Sequence, residues 1–145
     1  MRKMANNIHN SFNIMILTMF SVLLLTGCAG MGTTGSKYMN QRIFTTKHDI
    51  KIQKATEIAI QAFQDMEVVL SKKNMASGFI SGVLTTGWWV NKETYFLEVY
   101  ISIPDAKHVK IHATSTAGPQ TAFTNELDDI VEDFYAAYKK NLDRI

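Results

Sequence analysis

The spacing of hydrophobic and polar positions changes several times along the 145 residues of this chain. An apolar run comes first, Ile14–Leu25, and only Thr18 and Ser21 interrupt it. Apolar residues then recur every three or four positions from about 50 to 66, and again from 127 to 142. This spacing follows one face of a helix, so it predicts two amphipathic helices.

The segment between the two predicted helices has a period close to two, which is typical of β-strands. It predicts four successive strands, at Glu67–Lys72, Gly78–Thr85, Thr94–Ile103 and His108–Ser115. Gly78 and Gly82 fall within the second of these strands and indicate a bulge or a bend. Residues 37–48 show no clear period, and we expect them to be irregular or weakly extended.

The third predicted strand has the clearest alternation. We expect one set of its residues to face the core and Phe96 and Tyr100 to face the other way. The inward set is Tyr95, Leu97, Val99, Ile101 and Ile103. A helix, four strands joined by short turns and a second helix predict an α+β fold, in which the helices cover one face of an antiparallel meander as a two-layer sandwich. Residues 49–145 are expected to form this single domain.

The N-terminal apolar run is too short for a membrane span, because a transmembrane helix needs about 20 apolar residues. Arg2 and Lys3 precede it, and a basic start followed by a short apolar run is typical of a signal peptide. The run ends in Leu25-Thr26-Gly27-Cys28, which resembles the lipobox of bacterial lipoproteins. The alternatives are a plain secretory signal and a cysteine of the core.

The lipobox resemblance implies a defined modification. The thiol of Cys28 would receive a diacylglyceryl group, residues 1–27 would be removed as a lipoprotein signal peptide, and the new amino group could be acylated. Residues 28–48 would then hold the lipid anchor, a flexible tether and an irregular lead-in. Ala29 stands at the position where an aspartate resembles an inner-membrane retention signal in Gram-negative lipoproteins, so in a Gram-negative cell we expect the outer membrane, facing the periplasm.

Cleavage would also change the charge of the chain. It removes Arg2 and Lys3 and no acidic residue, so the formal net charge falls from +2 to zero. A neutral domain has no electrostatic footprint for nucleic acid, and we expect no nucleic-acid partner. The expected partners are the membrane, through the lipid on Cys28, and a protein of the cell envelope.

A second resemblance concerns the domain. Helix, strands and helix on a lipid tether resemble the helix-grip domains of BamC-like lipoproteins over residues 50–142. The residues that carry this likeness are Ala55, Ala59, Ala62 and Phe63, then Val68-Val69, then Gly78-Phe79-Ile80-Ser81-Gly82. It is a likeness of element pattern, and it implies no binding residue.

Residues capable of chemistry do not form a recognisable catalytic or metal-binding pattern in the sequence. His108 and His112 lie on a predicted strand, where four residues span about 13 Å, too far to share one metal ion. His48 has no carboxylate or thiol at ligand spacing. The acidic residues of 126–133 are expected to belong to the start of the last helix. We therefore expect no catalytic residue, no metal and no cofactor.

Two adjacent tryptophans, Trp88 and Trp89, fall between the second and third predicted strands. Neighbours on a strand point to opposite faces, so at most one of them can enter the core. Three interpretations remain: one ring fills the core while the other covers the sheet, one contacts a protein partner, or one inserts among lipid headgroups.

The sequence as a whole favours a lipid-anchored envelope lipoprotein that acts by binding, as a non-catalytic accessory or scaffolding subunit of an envelope complex. Two alternatives come from other classes of protein. A carrier or sensor of an amphiphilic ligand would need an apolar pocket of about 300–1,000 Å³. A cell-wall hydrolase would need an acid/base pair in a cleft.

Overall fold

The computed structural model describes residues 36–87, 92–119, 121 and 126–145. These residues form an antiparallel sheet of five strands with two helices, which confirms the predicted α+β class. The elements in chain order are β1 (Lys37–Thr45), α1 (Ile52–Asp65), β2 (Val69–Asn74), β3 (Phe79–Thr86), β4 (Glu93–Asp105), β5 (His108–Ala117) and α2 (Leu127–Leu142). The strands lie side by side in the order β1-β5-β4-β3-β2. Neither helix of this described part is long and apolar enough to cross a membrane.

The prediction of four strands was wrong by one, because residues 37–45 form the edge strand β1. It pairs with β5 in an unbroken register, from Lys37 opposite Thr116 to Thr45 opposite His108. The usual alternation is broken in the middle of β1, between Tyr38 and Phe44, which explains why the sequence pattern did not reveal the strand. Asn40 and Arg42 lie on the helix side of the sheet, where Glu132 of α2 binds both, whereas Met39 and Ile43 face outward and are exposed.

The core lies between one face of the sheet and the two helices. Inward-facing residues of β4 are buried as predicted from Tyr95 to Ile101, while Phe96 and Tyr100 are exposed on the other face. Helix α1 approaches the sheet closely through three alanines that have no exposed surface, Ala55, Ala59 and Ala62. Opposite them lies Gly82 of β3, where an added Cβ would stand only 2.5 Å from Val68 Cγ1 and 3.0 Å from Phe63 Cε2.

A layer of aromatic rings fills the space between the sheet and α2. It consists of Phe44, Phe63, Phe134, Tyr135 and Tyr138, which we term the aromatic core. Phe134 packs edge-on against Phe63 of α1 at 5.7 Å between ring centroids, and Tyr138 lies 5.1 Å from Phe44 of β1. Through these contacts, α2 packs against both α1 and the edge strand β1.

Two tyrosines of this layer differ in whether their hydroxyl groups form a hydrogen bond. Tyr135 Oη donates a hydrogen bond to the backbone oxygen of Asn40 at 2.7 Å, and burial raises the Tyr135 pKa to about 12. Tyr138 Oη is buried and has no hydrogen-bond partner among the described residues. A buried hydroxyl without a partner lowers stability, because it has lost its bonds to water without replacing them.

The two tyrosines therefore predict opposite effects of removing one oxygen atom. We expect Tyr138→Phe to leave the free energy of unfolding unchanged or to raise it by up to about 1 kcal/mol, and Tyr135→Phe to lower it by about 1 kcal/mol. Urea denaturation followed by circular dichroism measures both. The account is contradicted if Tyr138→Phe is the more destabilising of the two.

Candidate functional site

The face of the sheet that the helices leave uncovered carries apolar and aromatic side chains instead of an all-polar surface. Phe96 and Tyr100 of β4 are 42% and 52% exposed, and Val69 of the edge strand β2 is 70% exposed. Two half-buried residues of β3 lie between these strands. We term this set the outer patch; its residues are Val69, Phe79, Val83, Phe96 and Tyr100.

Strand register brings the outer patch together from three strands. Val69 lies opposite Val83, and Val83 lies opposite Phe96, so these side chains form one row across β2, β3 and β4. Phe79 lies opposite Tyr100, with 4.7 Å between their ring centroids. Cross-strand neighbours on one face contact each other, so each row forms a continuous apolar strip, and the row of Ser81 and Glu98 lies between the two strips.

One acidic residue interrupts the outer patch. Glu98 lies between Phe96 and Tyr100 on β4, faces the same way, and is exposed. Its cross-strand neighbours are Ser81 on β3 and Thr114 on β5, neither of which carries a charge. The immediate neighbours of the Glu98 carboxylate are therefore apolar and hydroxyl side chains, and the same row ends in Lys72, opposite Ser81 on the edge strand β2.

Such a surface has the composition of a binding site. Aromatic residues are enriched at the centres of protein interfaces, and contiguous apolar patches on a protein surface commonly mark interaction sites. The sequence predicted that Phe96 and Tyr100 face outward, but it did not identify them as a site. The signal in the sequence was that two aromatic residues, Phe96 and Tyr100, fall on the otherwise polar side of an alternating strand. Val69, Phe79 and Val83 could not be assigned to the same surface, because that requires the pairing register of the strands.

The site residues predicted from the sequence lie outside the described residues. This holds for the lipidation site Cys28, for Leu25, Thr26 and Gly27 of the peptidase motif, and for Trp88 and Trp89. The strands that flank the tryptophans are described: β3 ends at Thr86, opposite the first residue of β4, Glu93. The register also places this end of the sheet beside Ala117 and the start of β1.

The histidines and acids that the sequence raised as metal candidates have other partners. His108 Nδ1 lies 2.8 Å from both carboxylate oxygens of Asp105 in the turn between β4 and β5. A hydrogen bond from the Lys107 backbone, with this histidine, holds the Asp105 pKa below its usual value. His112 lies on the outer face, opposite Tyr100 and Gln41. Within the described ranges, no three His, Cys, Asp or Glu side chains converge to hold a metal ion.

Two carboxylates meet at one hydroxyl group near the start of β4. Tyr95 Oη lies 2.7 Å from Glu93 Oε2 and 3.1 Å from Glu126 Oε2, just before α2. Burial is the main cause that raises the Tyr95 pKa far above its ordinary value, and the two glutamates add to it. The phenol therefore stays protonated and acts as a hydrogen-bond donor, which joins β4 to the start of α2.

The described residues also line two cavities, both near the edge strand β1. The larger, about 630 Å³, is a groove between β1 and α2 that includes Arg42, Glu132 and Tyr135. Arg42 Nη2 lies 2.7 Å from Glu132 Oε2, and its guanidinium carbon lies 4.6 Å from the centre of the Tyr135 ring. The smaller, about 200 Å³, is lined by residues that include His48 and Asp49.

Comparison with known proteins reveals only distant similarities of structure. No protein-family model matches the chain, and no curated protein matches its sequence. An uncharacterised protein from Bacillus thuringiensis superimposes with a TM-score of 0.48 at 9% identity, over 74% of this chain and 96% of that one. A TBP-like protein from Parabacteroides distasonis gives 0.40 at 12% identity, over 77% and 97% of the two chains.

A third solved structure, Ara h 8.0201, gives a TM-score of 0.41 at 10% identity, over 74% of this chain and 99% of that one. These values are too low to extend a property of any of the three proteins to this chain.

The shared hydroxyl of Tyr95 can be tested by removing it. We expect Tyr95→Phe to lower the free energy of unfolding by about 2 kcal/mol, because hydrogen bonds to charged groups contribute about 1.5–3 kcal/mol. Tyr100→Phe is the matched control, since it removes the same atom from an exposed ring and should change stability by less than about 0.5 kcal/mol. Equal effects of the two variants in urea denaturation would contradict a structural role for the Tyr95 hydroxyl.

Proposed function

We propose that this protein is a lipid-anchored lipoprotein of the cell envelope and acts as a non-catalytic accessory or scaffolding subunit of an envelope complex. The lipobox at Leu25-Thr26-Gly27-Cys28 supports the anchor. The outer patch carries the proposal of binding, because its two apolar and aromatic rows lie on the face of the sheet that the two described helices leave uncovered. Its partner is a protein, bound on the face of the sheet opposite the helices.

Glu98 favours a protein over a lipid surface as the occupant of the outer patch. A carboxylate placed in hydrocarbon loses its hydration and finds no hydrogen-bond donor there, which is costly. A protein can place an arginine, a lysine or an amide opposite Glu98 while its apolar side chains cover Phe96 and Tyr100. The expected partner surface is therefore apolar with a basic or amide group near its centre.

The packing of the interior also supports binding at the surface. A carrier of an amphiphilic ligand would need an apolar pocket between the helices and the sheet. In the described residues, the rings of Phe63, Phe134 and Tyr138 fill the space under the middle of the sheet. The groove of about 630 Å³ between β1 and α2 lies at the edge of the sheet, and the ion pair of Arg42 and Glu132 lines it. A partner can contact the apolar side chains of the outer patch without displacing the aromatic rings between the helices and the sheet.

The lipid anchor predicts a covalent change at one residue. In cells given a clickable fatty acid, the wild-type chain should carry the label and begin at Cys28, whereas Cys28→Ala should lose the label and keep residues 1–27. Ser36→Ala is the control and should behave like wild type. In-gel fluorescence and intact mass measure the result, and a labelled Cys28→Ala chain would contradict the anchor.

The binding surface predicts where a photo-crosslinking residue captures a partner in cells. We expect discrete protein adducts from Phe96 and Tyr100 and none from Gln61, which is exposed on α1. The charge reversal Glu98→Lys should reduce the Tyr100 adduct about tenfold or more, because it sets like charges against each other across the contact.

A control variant and a separate pair of probes complete this experiment. Glu98→Gln keeps the size of the side chain and should lose less adduct than the charge reversal. Probes at Trp88 and Trp89 test the separate expectation for the tryptophan pair. Lipid adducts, or equal capture from Phe96 and Gln61, would contradict the outer patch as a protein-binding surface.

A further inference from the structure

The two edges of the sheet differ in how well they resist pairing with another strand. The β2 edge is short, its register shifts between Leu70 and Lys72, and it carries Lys72 and Lys73; bulges and lysines are features that discourage edge pairing. The β1 edge runs over nine residues with no shift in register and no proline. Only β1 therefore offers a long, regular edge.

The hydrogen bonds to β5 show which residues of β1 have backbone groups facing the free edge. Thr46 N donates to Lys107 O at 2.8 Å, and Ala117 N donates to Ser36 O at 3.1 Å, so the even-numbered residues between them face β5. Backbone groups alternate along an antiparallel strand, so Met39, Gln41 and Ile43 face the free edge. The Gln41 N–H is covered by a side chain, Asn40 Oδ1, at 2.7 Å.

The side chains of these free-edge residues are unusual for an exposed edge. Met39 and Ile43 are 55% and 57% exposed, and both project from the outer face of the sheet. They lie two residues on either side of Gln41. A strand with this arrangement is complementary to itself, because an antiparallel copy turned about an axis through Gln41 brings Met39 of each copy opposite Ile43 of the other.

We infer that two copies of this chain associate through β1, antiparallel, with Gln41 on the two-fold axis. In this register the free backbone groups of Met39, Gln41 and Ile43 bond to the second copy, and the Gln41 carbonyl of that copy replaces Asn40 Oδ1. The two exposed apolar pairs cover each other on the outer face. This proposal is independent of the proposed function and does not use the outer patch.

The helix side of β1 accommodates the same register. Arg42 of the second copy lies opposite Asn40, whose side-chain amide Nδ2 is 3.1 Å from Glu132 Oε1. The groove of about 630 Å³ between β1 and α2 provides space here for side chains of the second strand. A shift of the axis to Arg42 would set the two arginines directly opposite each other, which like charges disfavour.

A cysteine at the axis tests the association in cells that express the full chain. Paired Cα atoms of a hydrogen-bonded antiparallel pair are about 5.5 Å apart, within the range of about 4.4–6.8 Å for a disulfide. With a membrane-permeant thiol oxidant added to the cells to accept the two electrons, Gln41→Cys should therefore give a disulfide-linked dimer on a non-reducing gel, at least about tenfold above Gln61→Cys on α1 and Lys73→Cys on the β2 edge. The wild-type chain controls for any disulfide through Cys28.

A charge exchange in the Gln41→Cys background tests the register. Met39→Glu and Ile43→Lys should each lower the yield of dimer about tenfold, because each places one charge against an apolar side chain of the other copy. Together they should restore it, since each introduced carboxylate then faces an introduced ammonium. Within one chain these positions are about 13 Å apart, so they form no internal ion pair. Circular dichroism confirms folding of each variant.

The possible outcomes separate the alternatives. Dimer from Gln41→Cys with rescue by the double charge variant supports the association and its register. No dimer above the two control positions overturns it, and so does a double variant that dimerises no better than the single ones. A failed crosslink from the outer patch would leave this result unaffected, so the two proposals fail separately.

Discussion

The aromatic core on α2 is the constraint on which the rest of this structure depends. Phe134, Tyr135 and Tyr138 project from one helix and reach α1, the sheet and the edge strand β1. Rings of this size bury much apolar surface and add favourable geometry where their edges and faces meet. They fill the space between α2 and the sheet, and the apolar side chains of the outer patch lie on the opposite face of the sheet.

The same layer explains why β1 joins the sheet although its sequence is poorly patterned. Phe44 packs against Tyr135 and Tyr138, the Tyr135 hydroxyl bonds to the Asn40 backbone, and Glu132 binds the side chains of Asn40 and Arg42. Apart from Phe44, these are polar contacts made to a helix some ninety positions later in the chain. β1 is therefore held by α2 as well as by β5, and no other described strand pairs with its second edge.

These contacts show which parts of the fold the sequence could predict. The alternation of β4 and the helical stripes reveal buried faces directly, because burial there follows the local period of the chain. β1 was missed because two of its inward residues, Asn40 and Arg42, are polar and bind Glu132, which lies some ninety positions later in the chain. The outer patch was missed for a related reason. Its residues come from three strands and meet only through the pairing register, which the spacing of apolar residues within one strand does not determine.

The lipobox differs from these fold-based predictions, because Cys28 is identified by the short motif that a processing enzyme recognises and not by the fold. It stays a prediction, as do Trp88 and Trp89, because these residues lie outside the described ranges. A functional motif read by an enzyme can thus be recognised in a sequence without any knowledge of the domain that follows it.

The two exposed surfaces become related if chains pair through β1. A two-fold axis through Gln41 at this edge is perpendicular to the sheet, so the outer faces of both copies point the same way. The five strands of each copy would then form one continuous sheet that displays two outer patches side by side. A partner with two matching surfaces would bind the second patch at high effective concentration, because the first contact already holds it nearby. Two modest apolar contacts, each with a carboxylate at its centre, would then act together as one stronger binding surface.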